Sequence, residues 1–517
     1  MAIVLVLLLC TVLAGCGTLP REVTRIPSSA LEPSPDSALV KTARASAPSA
    51  DESGFRLMPI GAYSLEARIE LAKRAQRSLD VQYYVLENDA TGRLLLRTLR
   101  DAAQRGVRVR LLLDDLYTTH TDELLRALAT YPNVEVRLFN PFCCARAGGR
   151  ALRYAASLFE FFRVNGRMHN KLFIADGVMA VAGGRNIADE YFQRHSEQNF
   201  VDMDAFVMGA VVGELATIFD RYWNSVVVYP IESVGGPTMA RSDGQRYFSE
   251  QIESAPQPPP LDPPPVDVLG YGPISEDLEV GRVGLIWGKA RAYADPPEKF
   301  AQRTDDDAIA ASVTRDVMKV LWQAKDEVII TSPYFIPGKR GLRNFQSLRD
   351  RDVKVTVVTN SLAATDEPLV HAGYSRYRYD LLLSGVDIYE LSPSRTRKAK
   401  RLGFGSSLGR LHSKTAIIDR KTVFIGSMNL DPRSESQNTE LGIFVESPDL
   451  AKELDRVITV SKTSSAYRLR PQVNGPGIEW LSVDDDKETI TNVEPESSPW
   501  LRLHNIIFGI FVPEQLL

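Results

Sequence analysis

The sequence predicts an α/β protein built from two similar halves, each a mixed, mostly parallel sheet flanked by helices. Three observations carry that prediction. Strand-length apolar runs alternate with helical patterns along most of the 517-residue chain, the order that places crossover helices between parallel strands. The stretch Arg167-Met-His-Asn-Lys-Leu-Phe-Ile-Ala-Asp176, followed by Gly183-Gly-Arg-Asn186, returns as Arg410-Leu-His-Ser-Lys-Thr-Ala-Ile-Ile-Asp419 and Gly426-Ser-Met-Asn429 with every spacing kept. In a chain with six histidines such a duplication marks an internal repeat. Between the two copies, Pro256 to Pro265 contains Pro-Pro-Pro twice and cannot be regular core structure.

The elements follow in order. Residues 1–16 hold the apolar run Ala2 to Val12, too short to span a bilayer but of signal-peptide length, and then Leu13-Ala-Gly-Cys16. That tetrad resembles the lipobox of bacterial lipoproteins, in which the cysteine is acylated and becomes the mature N-terminus. It implies a lipid on Cys16 and membrane attachment, although no Lys or Arg precedes the apolar run. Gly17 rather than Asp follows, which points to outer-membrane sorting with the body facing the periplasm. Residues 17–53, rich in Ser, Pro, Ala and Thr, read as a flexible tether.

The first repeat spans 54–233. Helical spacing runs from Tyr63 to Arg77, from Thr91 to Arg105 and from Thr121 to Thr130. Strands are expected over Leu79–Leu86, Val107–Asp114, Val134–Phe139, Leu172–Ala175 and Val178–Ala182. Residues 234–282 form a Pro-rich linker or insertion. The second repeat, 283–517, has strands at Glu327–Ser332, Val353–Thr359 and Val386–Glu390, with helices over Gly341–Arg349 and Glu367–Ser384. The tail from Pro499 carries an apolar run, Ile506 to Val512, expected to pack on this half.

Composition bounds the partners. At 44% hydrophobic and 24% charged the chain is globular, and a net charge of -4 gives no global field for nucleic acid. Four cysteines are too few for a disulfide scaffold, and Cys143 and Cys144 are adjacent, a spacing that rarely bridges.

A histidine and a lysine two residues apart on a strand share one face. Two such faces bring together His169, Lys171, His412 and Lys414, with Asn186 and Asn429 after small-residue turns that allow close backbone approach. Lysines supply fixed positive charge and asparagines neutral donors, a set suited to a phosphodiester whose oxygens gain charge in the transition state. One imidazole can attack phosphorus while the other handles the leaving and entering protons. The lysines already neutralise the phosphate, so no metal or other cofactor is demanded. A zinc site fits poorly, because a cation stands where a second ligand should be.

The two copies resemble the His-Lys-Asp motif of the phospholipase D superfamily, over about Phe55 to Glu446. That resemblance implies two similar α/β halves with one active site at their interface and a two-step transfer through a phosphohistidine. It assigns His169, Lys171, Asp176, His412, Lys414 and Asp419 to the catalytic motifs, the two aspartates tying down local backbone. Asn186, Asn429 and Ser427 become candidate phosphate contacts, with Gly184 in the place equivalent to Ser427. Arg167 and Arg410, two residues before each histidine, are candidate ligand contacts. His169 is implied as nucleophile and His412 as acid, the reverse remaining open. Each imidazole needs an orienting carboxylate. Aligning the two Phe-Val pairs places Asp202 opposite Glu440, ahead of Asp204. Asp202 is expected to touch His169.

Phrases such as Phe219-Asp-Arg-Tyr-Trp-Asn-Ser225 look like the bacterial cardiolipin synthase C type. The resemblance implies a membrane-associated phosphatidyltransferase acting on phosphatidylglycerol and a second phospholipid, with phosphatidylethanolamine suggested as donor. Phospholipid hydrolysis is the alternative, since water or an alcohol can reach the same intermediate. A nuclease and a non-catalytic envelope lipoprotein are further classes. The cluster Arg395, Arg397, Lys398, Lys400 and Arg401 reads first as a solvated loop, then as a lipid-headgroup contact. No nucleic-acid partner is expected, and an accessory protein is undetermined.

Overall fold

The computed structural model describes residues 19–511 apart from 21, 144, 145, 147, 235, 237, 255–263, 302–311, 399–406, 476, 485 and 486. The signal-like segment with Cys16, most of the Pro-rich run, and Lys400 and Arg401 lie outside the described residues.

The first half contributes β1 (Ser53–Met58), β2 (Ser78–Tyr83), β3 (Arg108–Asp114), β4 (Val134–Phe139), β5 (Leu172–Ala175), β6 (Met179–Gly183), β7 (Gln198–Val201), β8 (Asp204–Gly209) and β9 (Val228–Pro230). The second contributes β10 (Ile286–Ala294), β11 (Glu327–Thr331), β12 (Lys354–Asn360), β13 (Asp387–Leu391), β14 (Leu408–Leu411), β15 (Thr415–Ile418), β16 (Thr422–Gly426), β17 (Leu441–Glu446), β18 (Ala466–Pro471), β19 (Ile478–Asp484) and β20 (Lys487–Thr491).

In the first half the spatial order is β9-β4-β3-β2-β5-β6-β8-β1. The second half repeats it as β18-β13-β12-β11-β15-β16-β17-β10, with β19 and β20 added beyond β18. Strand β1 pairs with β10 as well as β8, so the halves form one continuous mixed sheet.

Parallel pairing is narrower than the sequence suggests. Within the main sheet it is confined to β2-β3-β4 and β11-β12-β13, the strands joined by helical crossovers. The remaining main-sheet pairs are antiparallel, because parallel neighbours need a long crossover and motif strands such as β5 and β6 are joined by tight turns.

Local chemistry explains the crossover helices. Asp89 caps Ala90–Gln104 by accepting from Gly92 N at 2.8 Å, and Gly106 at φ +94° ends the segment where a side chain would be strained. Leu95, Leu96, Leu99 and Ala102 of that helix are buried against the sheet. Each half has its own core on one face. A third core is shared, with Leu172, Ile174 and Val207 of one half packed among Ile417, Ile425 and Ile443 of the other.

Two expectations are corrected. The described part of 17–53 is not a free tether. Ala38–Ser46 is helical, Leu39 and Ala43 enter the first core, and Arg25 donates to Val228 O at 2.7 Å. Its small apolar side chains were enough to bury against the sheet. The flanks of the Pro-rich run are also structured: Arg241–Glu253 and Ile274–Val280 are helices that place Phe248, Ile252, Ile274 and Leu278 in the first core. Cys143 is disulfide-bonded. The tail helix Pro499–Phe511 packs on Pro368–Leu383 as expected, with Arg376 donating to Gly509 O at 2.8 Å. Among the described residues no helix is long and apolar enough to cross a membrane.

Candidate active site

Two short backbone pairings bring the halves together at their motifs. Strand β7 runs parallel to β14, with Val201 opposite Leu411, and His412 N donates to Val201 O at 2.8 Å. Met168 likewise bridges Thr439, and His169 N donates to Thr439 O at 2.8 Å. The residue after Val201 is Asp202, and the residue after Thr439 is Glu440. Each pairing therefore sets a carboxylate of one half beside the histidine of the other.

The side chains follow the backbone. Asp202 Oδ2 lies 2.6 Å from His412 Nδ1, and Glu440 Oε2 lies 3.0 Å from His169 Nδ1. This corrects the expectation that Asp202 touches His169: the partners are crossed. Spacing along the chain could not reveal the exchange, because it arises from pairing between halves. Asp204 is excluded as an orienting group, since it faces the other way into a buried ion pair with Arg68 at 2.9 Å.

A carboxylate can only accept, so each Nδ1 carries the proton and each Nε2 keeps its lone pair. The two rings face one another with centroids 6.5 Å apart. Both line a cavity of about 420 Å³ together with Tyr84, Asn186, Tyr191, Asn429, Asp431 and Arg433. Tyr84 packs edge-on against His169 and Tyr191 against His412, each at 5.1 Å.

The lysines sit behind the rings. Lys171 Nζ donates to His169 O at 2.6 Å, and Lys414 Nζ donates to His412 O. Burial and the charge of Lys414 hold Lys171 well below its usual range, while burial brings Lys414 down to about 8 against the pull of Asp202 and Glu440. Burial lowers His169 to about 4, with Glu440 opposing and Lys171 reinforcing. Burial and Lys414 lower His412 to about 3. Asp202 and Glu440 stay ionised despite burial, because His412 and His169 beside them favour the charged carboxylates.

Several motif residues stand outside the cavity. Asp176 and Asp419 lie at the far ends of β5 and β15. Asp176 accepts from the backbone N–H groups of Gln76, Arg77 and Ser78, and Asp419 from those of Lys325, Asp326 and Glu327. Both adopt positive φ, +49° and +50°. They pin the turn into β2 and β11 and do not reach the cavity, which agrees with the backbone role read from the resemblance.

Ser427 does not face the cavity as a phosphate contact. Its hydroxyl donates to Glu440 Oε2, and Ser434 donates to Oε1 at 2.8 Å. Arg167 is fully buried on Asp114 at 3.1 Å and Asn140 O and does not line the cavity. Asn186 does line the cavity, held by Val85 N and Tyr191 OH, while Asn429 Oδ1 has no hydrogen-bond partner among the described residues.

Sequence reasoning missed the acidic wall. Glu87, Glu190, Asp366, Glu367 and Asp431 line the cavity beside Arg433. Burial and Asp366 raise Glu190 to about 7, and burial raises Asp431 to about 7. The nearest available signal was Asp431-Pro-Arg433, immediately beyond the second motif turn. His371, by contrast, is a buried packing residue that meets Asn505 of the tail helix at 3.4 Å.

With this geometry in view, comparison with known proteins is informative. Residues 69–223 and 317–459 match the family model "Cardiolipin synthase, PLD-like domain". The chain is 39% identical to cardiolipin synthase C of Escherichia coli over 454 residues, covering 87% of this chain and 93% of that protein. It is 26% identical to cardiolipin synthase 1 of Staphylococcus aureus over 77% of this chain and 66% of that one. Among solved structures, a phosphatidylserine synthase of Haemophilus influenzae shares the fold with TM-score 0.57 at 13% identity, covering 90% of this chain and 95% of that one.

Proposed function

The chain belongs to the cardiolipin synthase, PLD-like domain family, and from that membership we propose that it transfers a phosphatidyl group to phosphatidylglycerol to make cardiolipin. It is a phospholipid-modifying enzyme of the phospholipase D superfamily. The observation that carries the finer reading is the pair of crossed His–carboxylate contacts facing each other across one cavity.

The donor phosphodiester lies between the rings, over the two lysines. His169 Nε2 attacks phosphorus, a P–N bond forms, and the P–O bond to the headgroup breaks. His412 delivers its proton to the departing alkoxide. Burial and Lys414 disfavour protonated His412. An anionic phosphate entering beside it adds the missing counter-charge and draws the proton in. The acceptor hydroxyl then gives its proton to His412 and attacks phosphorus, the P–N bond breaks, and His169 is regenerated. The bound phosphate supplies the counter-charge that favours the ammonium forms of Lys171 and Lys414, and these then offset charge on the phosphoryl oxygens. Asn186 and Asn429 flank that position.

The acidic wall supports an amine-bearing donor such as phosphatidylethanolamine, and it works against a polyanionic nucleic acid. Attachment through acylated Cys16, with the body at the outer membrane facing the periplasm, belongs to the same proposal. Incorporation of labelled palmitate that survives Cys16→Ser would remove the anchor.

The deciding experiment is expression with phosphatidylglycerol, with and without phosphatidylethanolamine, followed by lipid analysis. Cardiolipin that depends on His169 and His412 is expected. Phosphatidic acid as the sole product would replace the transferase with a hydrolase using the same intermediate.

A further inference from the structure

The segment from Arg150 to Val164 has two unlike faces. Its inner side is fixed: Arg153 is fully buried and donates to Thr118 Oγ1 at 3.0 Å, and Tyr154 stacks edge-on with Phe142 at 5.2 Å. Its outer side presents Leu152, Leu158, Phe159 and Phe162 at 55%, 65%, 97% and 87% exposure. A stretch held this firmly has no need to expose two phenylalanines for its own folding, and exposed apolar patches of this kind mark contact surfaces.

We propose that this face is a lipid-docking surface that seats the mouth of the cavity on a bilayer containing anionic phospholipid. Position argues for that occupant. Tyr154 of the same segment lines the cavity, as do Leu116 and Tyr117 beneath it. The apolar face and one wall of the cavity therefore belong to the same short segment, so that what covers the face sits beside the cavity. A folded protein seated there would obstruct entry, whereas a lipid layer brings substrate to it. Charge agrees at one end: exposed Arg150 lies over the Tyr117 ring at 4.7 Å, placed to meet an anionic headgroup, whereas Arg163 at the other end is tied down by Asn140 Oδ1 at 2.6 Å and Pro141 O at 3.0 Å. The carboxylate of Glu160 is engaged by Arg163 at 2.6 Å. The inference rests on the reading of this site as one that acts on phospholipids.

Two measurements on the full chain in phosphatidylglycerol–phosphatidylethanolamine vesicles test it. In a Phe159→Trp variant, the emission gained over the parent protein is expected to be blue-shifted and quenched by lipids brominated on their acyl chains. A gained emission that is neither shifted nor quenched overturns the proposal. In a Phe159→Asp/Phe162→Asp variant, turnover of bilayer lipid is expected to fall at least about ten-fold, with turnover of a monomeric short-chain phospholipid unchanged. Equal loss on both substrates makes the face a folding element and overturns the proposal. Self-association of the parent that the double variant abolishes would place a second copy there instead, with the same consequence. Should the parent turn over neither lipid, the enzymatic reading fails, while the quenching result still decides the docking.

Discussion

The two His–carboxylate pairs solve one geometric problem with different parts. At His412 the carboxylate is the short Asp202, and the turn beside it carries Gly184. A Cβ at that glycine would lie 2.1 Å from Asp202 Oδ1, so the aspartate occupies the space a side chain would need. At His169 the carboxylate is the longer Glu440, and the equivalent turn carries Ser427, whose hydroxyl donates to it. The glutamate also has Ser434, and its backbone N–H donates to Asp295 Oδ2 at 2.8 Å, within a fully buried Asp295–Lys299 pair. One pair is held by exclusion of a side chain and the other by added hydroxyls. The difference teaches that pseudo-symmetry conserves where the carboxylate sits, not what holds it, and that the Gly184/Ser427 departure between motifs is a packing consequence of aspartate against glutamate.

The largest expected effect tests whether the halves divide the chemistry. His169→Ala and His412→Ala should each lower turnover by roughly 10⁴-fold or more. With a donor carrying a good leaving group, His412→Ala should still form a phosphohistidine at His169, detectable by mass spectrometry, and His169→Ala should form none. A label on His412 in the His169→Ala protein would reverse the assignment.

Next come the orienting carboxylates. Asp202→Asn and Glu440→Gln should each cost roughly 10²- to 10⁴-fold. Because Asp202 serves the acid–base histidine, a good leaving group should rescue Asp202→Asn in pre-steady-state product release and leave Glu440→Gln impaired. Equal rescue would break the division of roles.

The supporting turns should differ less. Gly184→Ser forces Asp202 away from His412 and is expected to lower activity by about 100-fold, whereas Ser427→Ala removes one hydroxyl from Glu440 and should cost about ten-fold. If both variants had equal activity, the two modes of support would not be distinct.

The smallest effect is on stability. His169 and His412 are lowered from 6.5 to about 4 and about 3, so between those values and pH 6.5 the unfolded chain binds more protons than the folded one. The contribution is present above pH 6.5 and is lost as pH falls through that window. The melting temperature should therefore drop on acidification. His412→Asn and His169→Asn should each flatten the drop, since each removes a histidine whose protonated form the folded protein disfavours. A melting temperature that rises on acidification would contradict the argument.

Much of this was legible from the chain. The crossover strands and helices announce themselves because their burial follows simple periodicity, as in Val107–Asp114 and Thr91–Arg105. His169, Lys171, His412 and Lys414 stand out because duplication preserves spacing, and a strand fixes which side chains share a face. The pattern misled where composition stood in for contacts. Ser- and Ala-rich residues around Ala38–Ser46 look like a tether but pack, and Arg167 beside the motif looks available for a ligand but is spent on Asp114.

Sequence alone determined the repeat, the chemical inventory of the site and the equivalence of Asp202 with Glu440, because these depend on residue order and local periodicity. Only the tertiary structure decided which carboxylate meets which histidine. That choice depends on β7 pairing with β14 and Met168 with Thr439, contacts between segments more than 200 residues apart whose register no local pattern encodes. The acidic wall and the exposed Phe159 face arise the same way, from connecting segments whose neighbours are set by how the two halves share one core.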